Sequence, residues 1–272
     1  MGVLSASAQL VTHTILSVPA LLGELLVVAV VVACFVVLHA VLQRRLRTEM
    51  LRRHNDVAGY LFQAVGVLFA VVLGFVVIVV WQKYDDTVSN VETEVNAVAD
   101  LYHSADGLSA PERSRIRSDL RAYAQAVVEI EWPEMARNEA LTGRAAELLD
   151  DASYRIDAFS PTNFKQFGAQ QAAIADARRL FDARRSRIVQ AAPAVPVVLW
   201  FALIAGALAM VAFCYIFGVE NRPAQLFMTA ILVGLIGILF VVVAEFSTPF
   251  SGSVSISPDG WLYLQQRLPQ IR

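Results

Sequence analysis

Four apolar runs limit what this chain can fold into. They cover residues 21–42 (LLGELLVVAVVVACFVVLHAVL), 60–81 (YLFQAVGVLFAVVLGFVVIVVW), 195–217 (VPVVLWFALIAGALAMVAFCYIF) and 226–245 (LFMTAILVGLIGILFVVVAE). A helix crosses a bilayer with about 20 apolar residues, and backbone polar groups in lipid must pair within their own segment. The runs therefore predict four transmembrane helices in an all-α integral membrane protein. Overall composition agrees, with 57% hydrophobic and 17% charged residues. A net charge of −2 gives no nucleic-acid footprint. Cys34 and Cys214 both lie in apolar runs and belong to no CxxC pair, so no metal site and no disulfide framework is predicted. The N-terminus lacks the basic region of a cleavable signal peptide, and the first span is expected to stay in the protein.

The second run does not stop at the membrane edge. In VLGFVVIVVWQKYDD, residues 72–86, no Gly, Pro or turn signal falls after Phe75. One helix is expected to pass from lipid into water unbroken. Beyond it, Val88, Val91, Val95, Val98 and Tyr102 keep 3,4 spacing and mark one apolar face. Ser109 to Glu112 fits a capping box with Pro111 in the first turn. The helix that follows carries Ile116, Leu120, Tyr123, Val127 and Ile130 and ends near Trp132-Pro133. A shorter helix over 144–159 comes next, then Ser160-Pro161 as a cap and first turn. A long helix with Phe164, Phe167, Ile174, Leu180 and Ile188 leads to Pro193 and Pro196, which restart the third span.

Four domains are expected: residues 1–82 hold the first two spans, 83–192 a helical bundle, 193–246 the last two spans, and 247–272 a tail. The tail is rich in turn formers, with a short helix after Ser257-Pro258. With four spans, both termini and the bundle share one side of the membrane. Arg44, Arg45, Arg47, Arg52 and Arg53 after the first span put that loop inside and the bundle outside. Arg178, Arg179, Arg184, Arg185 and Arg187 on the bundle side oppose this.

Gly66, Ala70 and Gly74 form a small-residue stripe on the second span, of the kind that lets helices approach closely. Beside it run Val67, Val71, Phe75 and Val79. If several copies ring an axis, the apolar stripe forms a constriction able to gate by dewetting. The same spacing suits packing inside a four-helix monomer. Gln63 either lines the pore entrance or bonds to a neighbouring helix. Asp85 and Asp86 are candidates for an acidic pore mouth that favours cations, with Glu92 and Glu94 further on, or for a solvated helix face. Lys83 opposes the acids if it faces inward. Asn55 and Asp56 are expected to cap the second span. Glu24, His39 and Glu245, near span ends, are expected to snorkel to the interface.

These segments carry a resemblance. VLGFVVIVVWQKYDD is similar to the pore helix of bestrophins, with its neck around Leu-Gly-Phe and its Trp-x-x-Tyr-acidic exit. TPFSG, residues 248–252, resembles the segment after the last bestrophin span, and the order of elements is the same. HNDVAG, residues 54–59, is similar to a bacterial bestrophin-like family. The resemblance implies a bestrophin-like fold in which a helical bundle is inserted between the second and third spans. It implies a homo-oligomeric ion channel, a pentamer, in a bacterial inner membrane, with Val67, Val71 and Phe75 at the neck. It also argues for the opposite side to the charge rule. Two departures stand out. The neck is mostly valine, and the acidic calcium clasp is missing, since the first acid after Phe250 is Asp259. Calcium takes about six oxygen ligands, so calcium gating there is not expected.

The reading is thus an oligomeric ion channel whose partners are its own copies, the bilayer and permeant ions. No cofactor is expected. The alternative is a membrane-anchored sensor or scaffold whose helical domain binds a ligand or partner. No HExxH, P-loop or nucleophile elbow points to an enzyme.

Overall fold

The computed structural model describes residues 2–45, 55–219 and 221–270, with side chains from residue 22 onward. Arg47, Arg52, Arg53 and His54 lie outside the described residues. Within them, all regular structure is helical: α1 (Gly2–Arg45), α2 (Asn55–Ser104), α3 (Ala110–Ala126), α4 (Trp132–Ala136), α5 (Arg144–Ala158), α6 (Phe164–Gln190), α7 (Val197–Ile216), α8 (Arg222–Ser247) and α9 (Asp259–Arg267). Four helices are long and apolar enough to cross a membrane: Leu22–Arg45, Asn55–Gly107, Val197–Ile216 and Arg222–Ser247. The chain divides into two compact units, one of Met1–Gln82 with Ala194–Ser247, the other of Lys83–Pro193 with Thr248–Arg272. Each is described on its own.

In the first unit, α1 and α8 pack antiparallel through small residues. A Cβ on Gly237 would lie 3.0 Å from a Val28 methyl, and one on Gly234 3.8 Å from Val32. On α7, Gly206 takes the Phe69 ring of α2 so closely that a Cβ would meet it at 2.4 Å. Leu73, Val76, Val80, Val195, Leu203 and Val243 form the buried core of this unit. The backbone N–H of Ala194 donates to Ser247 O at 2.8 Å, joining the segment before α7 to the end of α8. α6 has ended at Gln190 and Pro196 caps α7, so the helix breaks before Pro193 and restarts after Pro196.

The second unit has a core of Val98, Leu101, Ile116, Leu120, Tyr123, Leu149, Ile156, Leu180, Trp261 and Leu268. Several local expectations change here. Ser109 is the residue before α3, but its side chain makes no capping bond. Glu112 instead pairs with Arg115 at 3.1 Å. The chain does not end its helix at Trp132-Pro133. A π-type turn over Val127–Glu131 bridges α3 to α4, with the Trp132 N–H bonded to Val127 O. Pro133 has no N–H to offer the preceding turn, and the wider turn carries the chain past it. Asn163, rather than Ser160, caps α6, accepting from the Gln166 N–H at 2.9 Å.

The apolar face expected on α6 is buried only in part: Leu180 is in the core and Ile174 and Ile188 are half-buried, but the two phenylalanines are not. Phe164 is 88% exposed and Phe167 48% exposed. The buried side is Ala173, Ala177, Leu180, Ala183 and Arg187, so α6 packs through small residues and polar pairs. The tail folds onto this unit. Phe250 stacks edge-on against Trp132 at 5.1 Å, Trp132 Nε1–H donates to Ile256 O at 3.2 Å, and Trp261 of α9 is fully buried against Tyr123.

Candidate pore helix

α2 runs 50 residues without interruption. Its buried side recurs every seven residues: Leu73, Val80, Thr87, Glu94 and Leu101 are all buried. A helix turns about 100° per residue, so seven residues make nearly two turns and keep one side. The opposite line is Val57, Ala64, Val71, Ile78, Asp85 and Glu92, and every one of these is exposed in the chain. That line is apolar through Ile78 and acidic from Asp85 onward.

Val67, Val71 and Phe75 are 64%, 51% and 66% exposed. Gln63, Ala70, Gly74, Val79 and both Asp85 and Asp86 are exposed as well. These residues do not share one direction. A stripe of every fourth residue winds by about 40° per step. Val71 and Phe75 each lie about 160° from Leu73, on either side of the point opposite it, with Val67 about 40° before Val71 and Val79 about 40° past Phe75. Ile78, which stripe spacing missed, falls on the Val67–Val71 side. Asp85 does too, whereas Asp86 sits about 100° round from it. Within the chain, a Cβ on Gly66 would lie 3.2 Å from Met210 Cε, whereas one on Gly74 would meet nothing within 4 Å.

The start of α2 is tied to the loop after α7. Asn55 Nδ2–H donates to Gly218 O at 2.9 Å, and its Oδ1 accepts from the Gly218 N–H at 3.0 Å. Asn55 therefore bridges two segments rather than capping its own helix.

Beyond residue 82, polar side chains of α2 are fastened along α6 and the turn that follows it. Lys83 Nζ donates to Ala192 O at 2.5 Å, Asn90 Nδ2–H to Ala183 O at 2.9 Å, and Ser104 Oγ–H to Asp176 at 2.6 Å. Lys83 is thus engaged by its own chain. Glu94 is not a free acidic group. It is fully buried and takes Arg187 Nε at 2.6 Å and Nη2 at 3.0 Å, with the Tyr123 hydroxyl donating to it at 2.5 Å. Arg187 also reaches Glu131 at 2.6 Å, and Arg184 bonds the other oxygen of Glu131.

Burial and the nearby Glu94 carboxylate push the Tyr123 hydroxyl well above its ordinary pKa. Burial alone would lower the Arg187 pKa, but the Glu94 carboxylate more than reverses that. Two carboxylates and two guanidinium groups thus balance inside the unit. Arg184 and Arg187, counted as opposing charges in the side assignment, are spent on these partners, and Arg179 pairs with Asp176 at 3.3 Å. The His39 side chain does not reach outward either. It is fully buried and hydrogen-bonded to Thr229 of α8, with Gln43 of its own helix at the other ring nitrogen. Among the described residues, no group of three His, Cys, Asp or Glu side chains converges as a metal site would require.

The features define a class: an all-helical membrane protein with four candidate spans, the second much longer than a bilayer needs. The chain belongs to the Bestrophin-like family, whose domain matches residues 25–261. Its fold is that of bacterial bestrophin homologues from Klebsiella pneumoniae. One crystal structure, of a single-substitution variant, aligns with TM-score 0.65 at 13% identity, covering 88% of this chain and 98% of the other. A second variant gives 0.64 at 13%, over 88% and 99%. The structure solved by Zn-SAD phasing gives 0.62 at 13%, over 88% and 97%. No curated protein matches the chain.

Proposed function

We propose that the chain is one subunit of a pentameric ion channel, with copies of α2 around a shared axis. The observation that carries this reading is the exposed line on an unbroken helix, apolar at Val71 and Ile78 and acidic at Asp85 and Glu92. Membership of the Bestrophin-like family supports it. In the assembly, Val67, Val71 and Phe75 form the apolar constriction, Val79 and Ile78 continue it, and Gln63 stands at the entrance. Gly66, Ala70 and Gly74 let neighbouring helices approach. Asp85 faces the path and Asp86 flanks it. Five copies of an acidic position make a negative collar that raises local cation concentration. The bundle of residues 83–192 is inserted between the second and third spans and holds the pore helix from outside the lipid, in a bacterial inner membrane.

The test is conductance of purified protein in planar bilayers. Replacing Val67, Val71 and Phe75 together by Ala widens the constriction and raises the current per channel. Equal currents from both proteins, or none from either, overturn the pore assignment. A sensor or scaffold would give no current and would purify as a monomer or dimer.

A further inference from the structure

The first unit holds a buried polar chain that the channel reading does not use. It runs through α1, α7 and α8. His39 is fully buried, with Nδ1 2.9 Å from Thr229 Oγ1 and Nε2 3.2 Å from Gln43 Nε2. Gln43 Nε2–H also donates to Gln225 Oε1 at 2.8 Å. Gln225 Nε2–H donates to two carbonyls near the end of α7, Cys214 O at 3.1 Å and Phe217 O at 2.6 Å. Thr229 Oγ1–H donates to Gln225 O at 3.0 Å.

Backbone carbonyls fix the direction of every bond. A carbonyl only accepts, so the Gln225 amide must aim its NH₂ at Cys214 and Phe217. Its Oε1 is then left to accept from Gln43. Gln43 presents its NH₂ to both Gln225 and His39, so His39 Nε2 must carry a lone pair. The Thr229 proton is committed to Gln225 O, so Thr229 Oγ1 must accept from His39 Nδ1–H. The tautomer follows from the network, as the partner at one ring nitrogen dictates the proton at the other.

We infer that His39 is a proton-sensitive lock among α1, α7 and α8, closed only by the neutral imidazole that bears its proton on Nδ1. A second proton would set Nε2–H against the NH₂ of Gln43. Turning Gln43 over would set its oxygen against Gln225 Oε1, and turning Gln225 over as well would face an oxygen to two carbonyls. No rotation of the amides rescues the chain, so a charged His39 must break it. The loss falls on the polar end of the α1–α8 seam, whose other end is the Val28–Gly237 and Val32–Gly234 packing.

Among the described residues the surroundings offer a charged ring only the face of Tyr215, a weak cation–π contact in place of the lost hydrogen bonds. From α7, Tyr215 stacks on the imidazole at 4.6 Å with its hydroxyl committed to Phe35 O at 2.8 Å, and Cys214 is its neighbour. At this end of α1 the charged groups are Arg44 and Arg45 in the last turn, and of α8 Arg222 at the first residue, while Glu24 and Glu245 lie towards the far ends of the two spans. Asp56, near the start of α2, is exposed. Among the described residues no carboxylate pairs with His39.

Imidazole ¹⁵N spectra of the full chain in lipid nanodiscs test the lock. The chain has four histidines, and a variant with His13, His54 and His103 replaced by Asn leaves His39 as the one signal. The expected spectrum at pH 7.5 shows a protonated Nδ1 and a bare Nε2. Acidification is expected to convert it to imidazolium together with a fall in melting temperature. His39→Asn, which keeps a donor for Thr229 and cannot titrate in this range, is expected to lose that acid limb. An Nε2–H tautomer or an imidazolium at pH 7.5 overturns the inference. So does protonation of His39 without any fall in melting temperature. The tautomer is read without altering His39, so a folding failure of His39→Asn leaves the test intact.

Discussion

At the scale of single residues, the second unit depends on one buried ionic cluster. Glu94, Glu131 and Arg187 are fully buried, and such groups persist only when every partner is present. Glu94→Ala strands Arg187 with half its counter-charge, and the expected loss of stability is about 3–5 kcal/mol, measured by thermal unfolding in detergent. Tyr123 gives a pH prediction whose sign follows from its raised pKa. Its folded-state pKa lies above that of an unfolded tyrosine, near 10. The hydroxyl's contribution is therefore complete below about pH 10 and is lost as pH rises beyond it. Tyr123→Phe removes that part of the alkaline loss, so the two proteins' stabilities converge above about pH 10. A gap that stays constant to higher pH would contradict the assignment. Little of this cluster was legible in the sequence. Glu94 reads as one more acid on a helix, and Arg187 as one of five arginines before a span. Their pairing is a contact across 93 residues, and Glu131 reaches it through a π-type turn that spacing rules do not anticipate. His39 was misread for the same reason, since its partner Thr229 lies 190 residues away.

At the scale of elements, α2 is where sequence and structure agree best. Absence of Gly, Pro and turn residues after Phe75 predicts an unbroken helix, and α2 continues to Ser104. The direction of its side chains was less legible. A stripe of every fourth residue follows a winding path, whereas every seventh residue holds a line. That separates Val71 and Ile78 from Val79. In a background with Cys34 and Cys214 replaced by Ala, single cysteines at Val71, Ile78 and Asp85 are expected to react with a water-soluble thiol reagent in lipid and to reduce current. Cysteines at Leu73 and Val80, buried within the chain, should do neither. Equal reactivity at all five positions would sink the side assignment. Besides Gly66, glycines packed closely in the first unit are Gly206, Gly234 and Gly237 on α7 and α8. They sit among so many Ala and Gly in apolar runs that spacing did not single them out. On α6 the phenylalanines at its start stay exposed, and Leu180, the alanines and Arg187 do the packing.

At the scale of the whole molecule, hydropathy was enough to reveal the membrane class, because four runs of this length have few other fates. The Bestrophin-like family and the fold then follow from the long second span and the segments around it. Subunit number is different, because it depends on surfaces that meet only between copies. The exposed side of α2 is a large apolar surface followed by acids on one helix, and lipid suits the first part but not the second. A ring of copies suits both, and this is the account's central claim. Native mass spectrometry of the protein released from lipid tests it most directly. The account predicts a complex of five chains, each of 29.8 kDa. A single 29.8 kDa chain as the dominant species under conditions that preserve known membrane assemblies would contradict it.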